Sequence, residues 1–134
     1  MVIVDTSVAY KWTDKNEEFR EEALGILNDH IDKKNQIIVP ALIFYELANA
    51  WATKAKLYFT VIGNNLKDLE DSNLTVEPAR FDLIRKAILF SRKYRVSVYD
   101  AVYAVLAQNK GCVLVTADAK FADQVKLPFV KKLG

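Results

Sequence analysis

Apolar residues along this chain fall into two rhythms. Short unbroken runs, Val2-Ile3-Val4, Ile37-Ile38-Val39 and Val113-Leu114-Val115, suit strands buried on both faces of a parallel sheet. Between them the apolar positions recur at three- and four-residue spacing. Phe19, Ala23, Leu27 and Ile31 do so over residues 17–33, and Ile84, Ala87 and Ile88, continued by the small Ser91, over residues 81–94. These patterns predict strands at 2–4, 36–39, 73–76 and 112–116, with an edge strand at 127–130. They predict helices at 8–12, 17–33, 41–54, 55–70, 81–94, 97–108 and from Asp118 through Val125. Strands alternate with helices, which is the signature of an open, mainly parallel α/β sheet.

Local signals sharpen the boundaries. Pro40 closes the second strand and suits the start of the helix behind it. Asp5-Thr6-Ser7 follows the first strand, and Thr6 and Ser7 are placed to cap the next helix. Ser97 and Asp100 match a capping box, and Gly111 stops that helix. Gly63 weakens the helix at 55–70. The helix at 41–54 is apolar nearly all round, except for Glu46, Asn49 and Thr53, whose spacing places them on one narrow stripe.

Composition narrows the class. With 134 residues the chain is expected to form one domain over 1–134, with a sizeable core. Hydrophobic residues at 51% and charged residues at 27% argue against disorder. No apolar run approaches the ~18 residues that span a bilayer, so a cytoplasmic protein with no membrane partner is expected. The net charge of +2 implies no nucleic-acid partner by itself. Cys112 is the only cysteine and lies in an apolar run, which suits a buried, inert thiol. His30, the only histidine, sits beside Asp29 and reads as a solvated helix residue. Arg92, Lys93 and Arg95 close the helix at 81–94, as a solvated terminus or a phosphate contact.

Four acids remain. Asp5 and Asp118 follow strands, each beside a hydroxyl residue; Asp100 opens a buried helix; Glu46 interrupts an apolar one. Each has a structural explanation, as a cap, a turn residue or the partner of a distant cation. Their common explanation is a site, because open α/β sheets build sites beyond the carboxyl ends of their strands. Carboxylates gathered in one cavity repel unless a cation neutralises them. Oxygen-only ligands favour Mg²⁺ or Mn²⁺, ions that clamp phosphoryl oxygens and activate water. Thr6 and Thr116 are placed to orient the ligands. Metal-dependent phosphoryl chemistry follows as the expectation.

Four motifs then resemble the PIN-domain nucleases, especially the VapC-type ribonuclease toxins: Ile3-Val4-Asp5-Thr6-Ser7, Glu46-Leu47-Ala48-Asn49-Ala50, Tyr99-Asp100-Ala101-Val102-Tyr103-Ala104 and Val115-Thr116-Ala117-Asp118-Ala119-Lys120-Phe121. Order and spacing agree across nearly the whole chain. The resemblance implies a sheet of order 3-2-1-4-5 with an acidic pocket for one or two Mg²⁺ or Mn²⁺ ions. It implies that Asp5, Glu46, Asp100 and Asp118 are the metal-binding and catalytic residues, with Thr6, Asn49 and Thr116 as supporting polar groups. It also implies endonucleolytic cleavage of RNA, an antitoxin partner and a homodimer, for which the aromatic stretch from Trp51 to Phe59 is one candidate surface and core packing its other explanation. Many relatives carry a second acid where this chain has Lys120, which implies a weaker second metal, or one present only with substrate.

Three rivals share parts of this pattern. A receiver-type signalling module needs paired acids after its first strand and an aspartate after its third, and Asp5 has no acidic neighbour. A haloacid-dehalogenase-like phosphatase needs a second aspartate that Asp5-Thr6-Ser7 lacks. A catalytically dead relative that acts by binding alone would retain the same fold.

Overall fold

The computed structural model describes residues 1–54 and 56–134. Its centre is a five-stranded, wholly parallel sheet: β1 (Val2–Val4), β2 (Ile37–Pro40), β3 (Thr75–Glu77), β4 (Val113–Thr116) and β5 (Val130–Lys132), in the order β3-β2-β1-β4-β5. Flavodoxin-like receivers run 2-1-3-4-5, so the strand order removes the receiver alternative. Every residue of β1 and β2 is buried, as their unbroken apolar runs require.

Helices cover both faces: α1 (Thr6–Ala9), continued by a 3-10 turn at Tyr10–Trp12, then α2 (Arg20–Ile31), α3 (Leu42–Thr53), α4 (Phe59–Asp71), α5 (Phe81–Tyr94), α6 (Val98–Lys110) and α7 (Ala119–Val125). None among the described residues is long and apolar enough to cross a membrane. The core joins Ile3, Val4, Ile37 and Val39 of the sheet to Ile43, Leu47 and Trp51 of α3 and to Val105 and Leu106 of α6. Gly63 leaves α4 unbroken. The stretch from Trp51 to Phe59 divides: Trp51 is buried, and its indole N–H donates to Thr13 Oγ1 at 3.1 Å, whereas Tyr58 and Phe59 are exposed.

Several expectations shift. The helix expected at 55–70 begins at Phe59; Ala55 lies outside the described residues. Thr6 and Ser7 do not cap α1. Asp5 does, with extended backbone and its carboxylate accepting from Val8 N–H at 3.3 Å, because the strand ends one residue earlier than a Thr or Ser cap requires. The edge strand falls at Val130–Lys132 rather than 127–130. Val130 N–H donates to Leu127 O, which folds the Pro128 segment into a turn and carries Lys131 and Lys132 into the strand. His30 is not a solvated helix residue. Its Nδ1 accepts from Ile37 N–H at 2.9 Å, which leaves the ring proton on Nε2, facing Ser72 O at 3.0 Å and Asn73 O at 3.1 Å. Cys112 is partly rather than fully buried, and burial pushes its thiol above its usual value, consistent with an inert group.

Candidate active site

The chain leaves β1 to one side of the sheet and β4 lies on the other, so the strand order reverses between these neighbours. Both strands end alike at this point. Asp5 caps α1, and Asp118 caps α7 by accepting from Phe121 N–H at 3.0 Å. Two helix starts, each needing an acceptor for orphan N–H groups, therefore bring two carboxylates to one edge.

A cavity of about 560 Å³ opens here, lined by Thr6, Ser7, Glu46, Asn49, Asp100 and Asp118 together with Lys11 and Lys54. Glu46 and Asn49 reach it because their three-residue spacing puts them on the same side of α3. Thr53, the third member of that stripe, instead donates to Asn49 O within its own helix. Asp100 enters from the first turn of α6, where its backbone N–H donates to the cap Ser97 Oγ at 3.0 Å. Asp5 lies behind the lining, only 8% exposed.

Asp5 is held from three directions. Ser7 Oγ donates to Oδ1 at 2.5 Å, beside the Val8 N–H, and Thr116 Oγ1 donates to Oδ2 at 2.5 Å. These hydroxyls are themselves fixed: Ala117 N–H donates to Ser7 Oγ at 2.8 Å, and Asp118 N–H to Thr116 Oγ1 at 3.0 Å. The turn after β4 thus positions the carboxylate after β1 through two serine and threonine relays. One acceptor position of Oδ2 remains open. Burial pushes Asp5 up to about 6, against the three hydrogen bonds that favour its charged form, and the charge of Asp100 adds to the rise. Asp100 is raised as well, by burial first, then by the charge of Asp118, with Ser97 opposing and Glu46 adding.

Glu46 is held by a different pair. Thr6 Oγ1 donates to Oε1 at 2.8 Å, and Tyr103 Oη donates to the same oxygen at 2.5 Å. Both hydroxyl protons point at the carboxylate, so the 3.0 Å approach between the two hydroxyl oxygens has no proton of its own. Tyr103 is 2% exposed, and burial together with the bond to Glu46 drives its phenol well above its usual value. Sequence reasoning missed Tyr103; its three-residue spacing from Asp100 on one face of α6 was the available signal. It also assigned Ser7 only to capping, and it did not foresee Lys11 and Lys54 in the lining.

Among the described residues no ion pair involves Asp5, Glu46, Asp100 or Asp118; Lys11, a buried lysine of the lining, pairs with Glu17 at 3.7 Å. Nor do three acidic, histidine or cysteine side chains converge there closely enough to hold a metal ion by themselves. The carboxylates stand around the cavity instead of meeting at one point. The donor set is nevertheless one that fits a hard divalent cation: oxygen only, like-charged, and with Asp5 and Asp100 destabilised in their ionised forms.

A family model described as PIN domain matches residues 2–127. No curated protein matches the sequence. Among solved structures, PAE2754 from Pyrobaculum aerophilum superposes with a TM-score of 0.72 at 21% identity, covering 98% of this chain and 90% of that one. A toxin–antitoxin complex from Klebsiella pneumoniae gives 0.71 at 14% identity, covering 97% and 95%. The Sarcin-Ricin loop cleaving toxin VapC20 of Mycobacterium tuberculosis gives 0.71 at 15% identity, covering 92% and 94%. At these identities the structures speak to the fold.

Proposed function

Because the chain belongs to the PIN domain family, we propose that it is a metal-dependent endoribonuclease and the toxin of a toxin–antitoxin pair. The observation that carries this reading is the cavity at the switch point of the sheet. Glu46, Asp100 and Asp118 line it, Asp5 lies behind it, and no cation of the described residues pairs with any of them. Support also comes from structural neighbours that are a toxin–antitoxin complex and a Sarcin-Ricin loop cleaving toxin. A homodimer, a cytoplasmic location and a single domain over 1–134 belong to the same reading.

In this reading Asp5, Glu46, Asp100 and Asp118 hold Mg²⁺ or Mn²⁺. Mg²⁺ keeps several of its waters and needs one or two carboxylates directly, which suits acids spread around a cavity. When bound, such an ion supplies charge stabilisation at phosphoryl oxygens and a lower pKa for its water. The chain's own groups do the rest. Ser7 and Thr116 keep Asp5 as an acceptor, Thr6 and Tyr103 fix the rotamer of Glu46, and Asn49 offers a neutral donor at the rim. Asp5 and Asp100, whose proton affinities are raised, hold their protons more readily until a cation displaces them.

The test is cleavage of RNA by purified protein in Mg²⁺ or Mn²⁺, its loss in chelator, and its loss in Asp5→Asn with the fold retained by circular dichroism. Cleavage that survives chelator, or is undiminished in Asp5→Asn, removes the assignment. An intact, ion-binding protein that cleaves no RNA would instead act by binding alone.

A further inference from the structure

A second cavity, of about 480 Å³, adjoins the first and shares Asp100 and Asp118 with it. The remainder of its lining has a different character. Arg95 and Lys120 face it with Ser97 and Gln124, and it has no acid of its own. Ser97 Oγ is occupied by the N–H of Asp100, and Gln124 Nε2 donates to Tyr94 O at 3.1 Å. Neither Arg95 nor Lys120 joins an ion pair among the described residues, although two carboxylates lie in the same cavity.

One local preference is broken at each of these cations, the backbone at Arg95, whose charge itself suits a helix end, and the charge at Lys120. Arg95 follows α5 in the left-handed conformation, at φ 57° and ψ 46°. That position favours glycine, since a Cβ there costs about 1–2 kcal/mol. Lys120 lies in the first turn of α7, close to the cap Asp118. The positive end of the helix dipole makes an acid the favoured residue there, and a cation is disfavoured by roughly 0.3–1 kcal/mol. Two residues that break separate local rules, on separate elements, and converge on one cavity suggest a gain made with a ligand.

We propose that the Arg95–Lys120 cavity is a backbone-phosphate subsite, which receives the RNA strand next to the phosphate under attack. The proposal rests on the ribonuclease reading for the identity of its polyanion. Once a cation neutralises the shared Asp100 and Asp118, the cavity is left with two unpaired positive groups. Arginine offers a fork of donors to phosphate oxygens, and lysine offers a mobile point charge. Lys11 and Lys54 line the first cavity, so both cavities that share Asp100 and Asp118 also carry cations, a charge pattern matched to a bound strand.

The experiment compares the parent with Arg95→Gly/Lys120→Ala. Both replacements suit their local backbone, so the double variant should melt at or above the parent temperature. Binding of a labelled oligoribonucleotide of about a dozen nucleotides is read by fluorescence anisotropy in Mn²⁺, with Asp5→Asn added to parent and variant alike to prevent cleavage, across a salt series. Cleavage of the same oligonucleotide is read in Mn²⁺, and Mn²⁺ affinity by calorimetry.

The double variant should bind RNA at least tenfold more weakly, with a salt slope shallower by about 0.7 for each phosphate that is no longer neutralised. KM should rise while kcat and Mn²⁺ affinity hold. Arg95→Gly alone and Lys120→Ala alone should each weaken RNA binding by a smaller factor, and either serves if the double variant misfolds. Unchanged RNA affinity and salt slope overturn the subsite, as does a loss traced wholly to weaker Mn²⁺ binding. A parent that binds RNA without cleaving it, and loses that binding in the double variant, ends the ribonuclease reading and keeps the cavity only as an RNA-phosphate site; a parent that binds no RNA ends the subsite too.

Discussion

The two ends of the sheet handle polar groups in opposite ways. Where β2 and β3 begin, His30 accepts from Ile37 N–H and faces the carbonyls of Ser72 and Asn73, while Gln36 Nε2 donates to Thr75 Oγ1 at 2.6 Å. Each group has a partner of complementary kind. Where β1 and β4 end, carboxylates stand near other carboxylates without a cation paired to them, and two of them are raised by burial and mutual repulsion. Cavities open at both ends, about 400 Å³ beside His30 and 560 Å³ beside Glu46. Size therefore does not separate a structural region from a candidate site. Satisfaction of charge does: one end is stabilised by its polar groups, and the other is left strained until something binds.

The contrast can be broken most sharply at Asp100. Asp100→Asn removes a charge that repels its neighbours, so metal-free protein at neutral pH should melt no lower than the parent. Cleavage should nevertheless fall by more than about a hundredfold, the upper end of what outer partners of a metal cost. Parallel melting curves and single-turnover rates check this, and a variant that is both less stable and fully active would erase the distinction between the ends.

Acidity gives the next largest effect. Asp5 binds its proton more tightly in the folded chain, at about 6, than at its ordinary value of 3.8. Its contribution is therefore complete below pH 3.8 and is lost as pH rises through about 6, by on the order of 3 kcal/mol. Denaturant titrations in chelator should show that decline between these values, Asp5→Asn should lack it, and Mn²⁺ should restore stability above about pH 6.

Tyr103→Phe tests whether the hold on Glu46 matters to function. Thr6 still donates to Glu46, so the melting temperature should move little, while Mn²⁺ affinity or cleavage should fall about 10–100-fold. Calorimetry with Mn²⁺ alone separates this from a general loss of packing. At the other end, His30→Ala leaves Ile37 N–H without its acceptor and should cost about 1–3 kcal/mol. The rate per folded molecule should be unchanged; a specific loss of cleavage would mean that the two ends are coupled.

Most of the fold could be read from periodicity alone. The runs at β1, β2 and β4 announce strands buried on both faces, and α5 and the capped start of α6 fall where spacing and Ser97 place them. These features are local: a few neighbouring residues fix each, through side-chain spacing or a single cap. The four acids could be singled out for the same reason, since an isolated carboxylate in an apolar segment shows in one dimension.

What the sequence could not decide is which oxygens meet. Asp5 depends on Thr116, 111 positions away, and Glu46 on Tyr103, 57 away. His30 looks solvated in its own helix and becomes a pin only because β2 and the turn before β3 arrive beside it. Arg95 and Lys120 appear as separate charges on separate helices until the fold sets them on one cavity. Spacing and caps are settled within a turn or a strand, whereas the partner of a polar group is settled by the packing of distant elements. The sequence by itself determined the sheet, its helices and the candidate acids; tertiary structure alone decided which polar groups are satisfied and which are left open to a ligand.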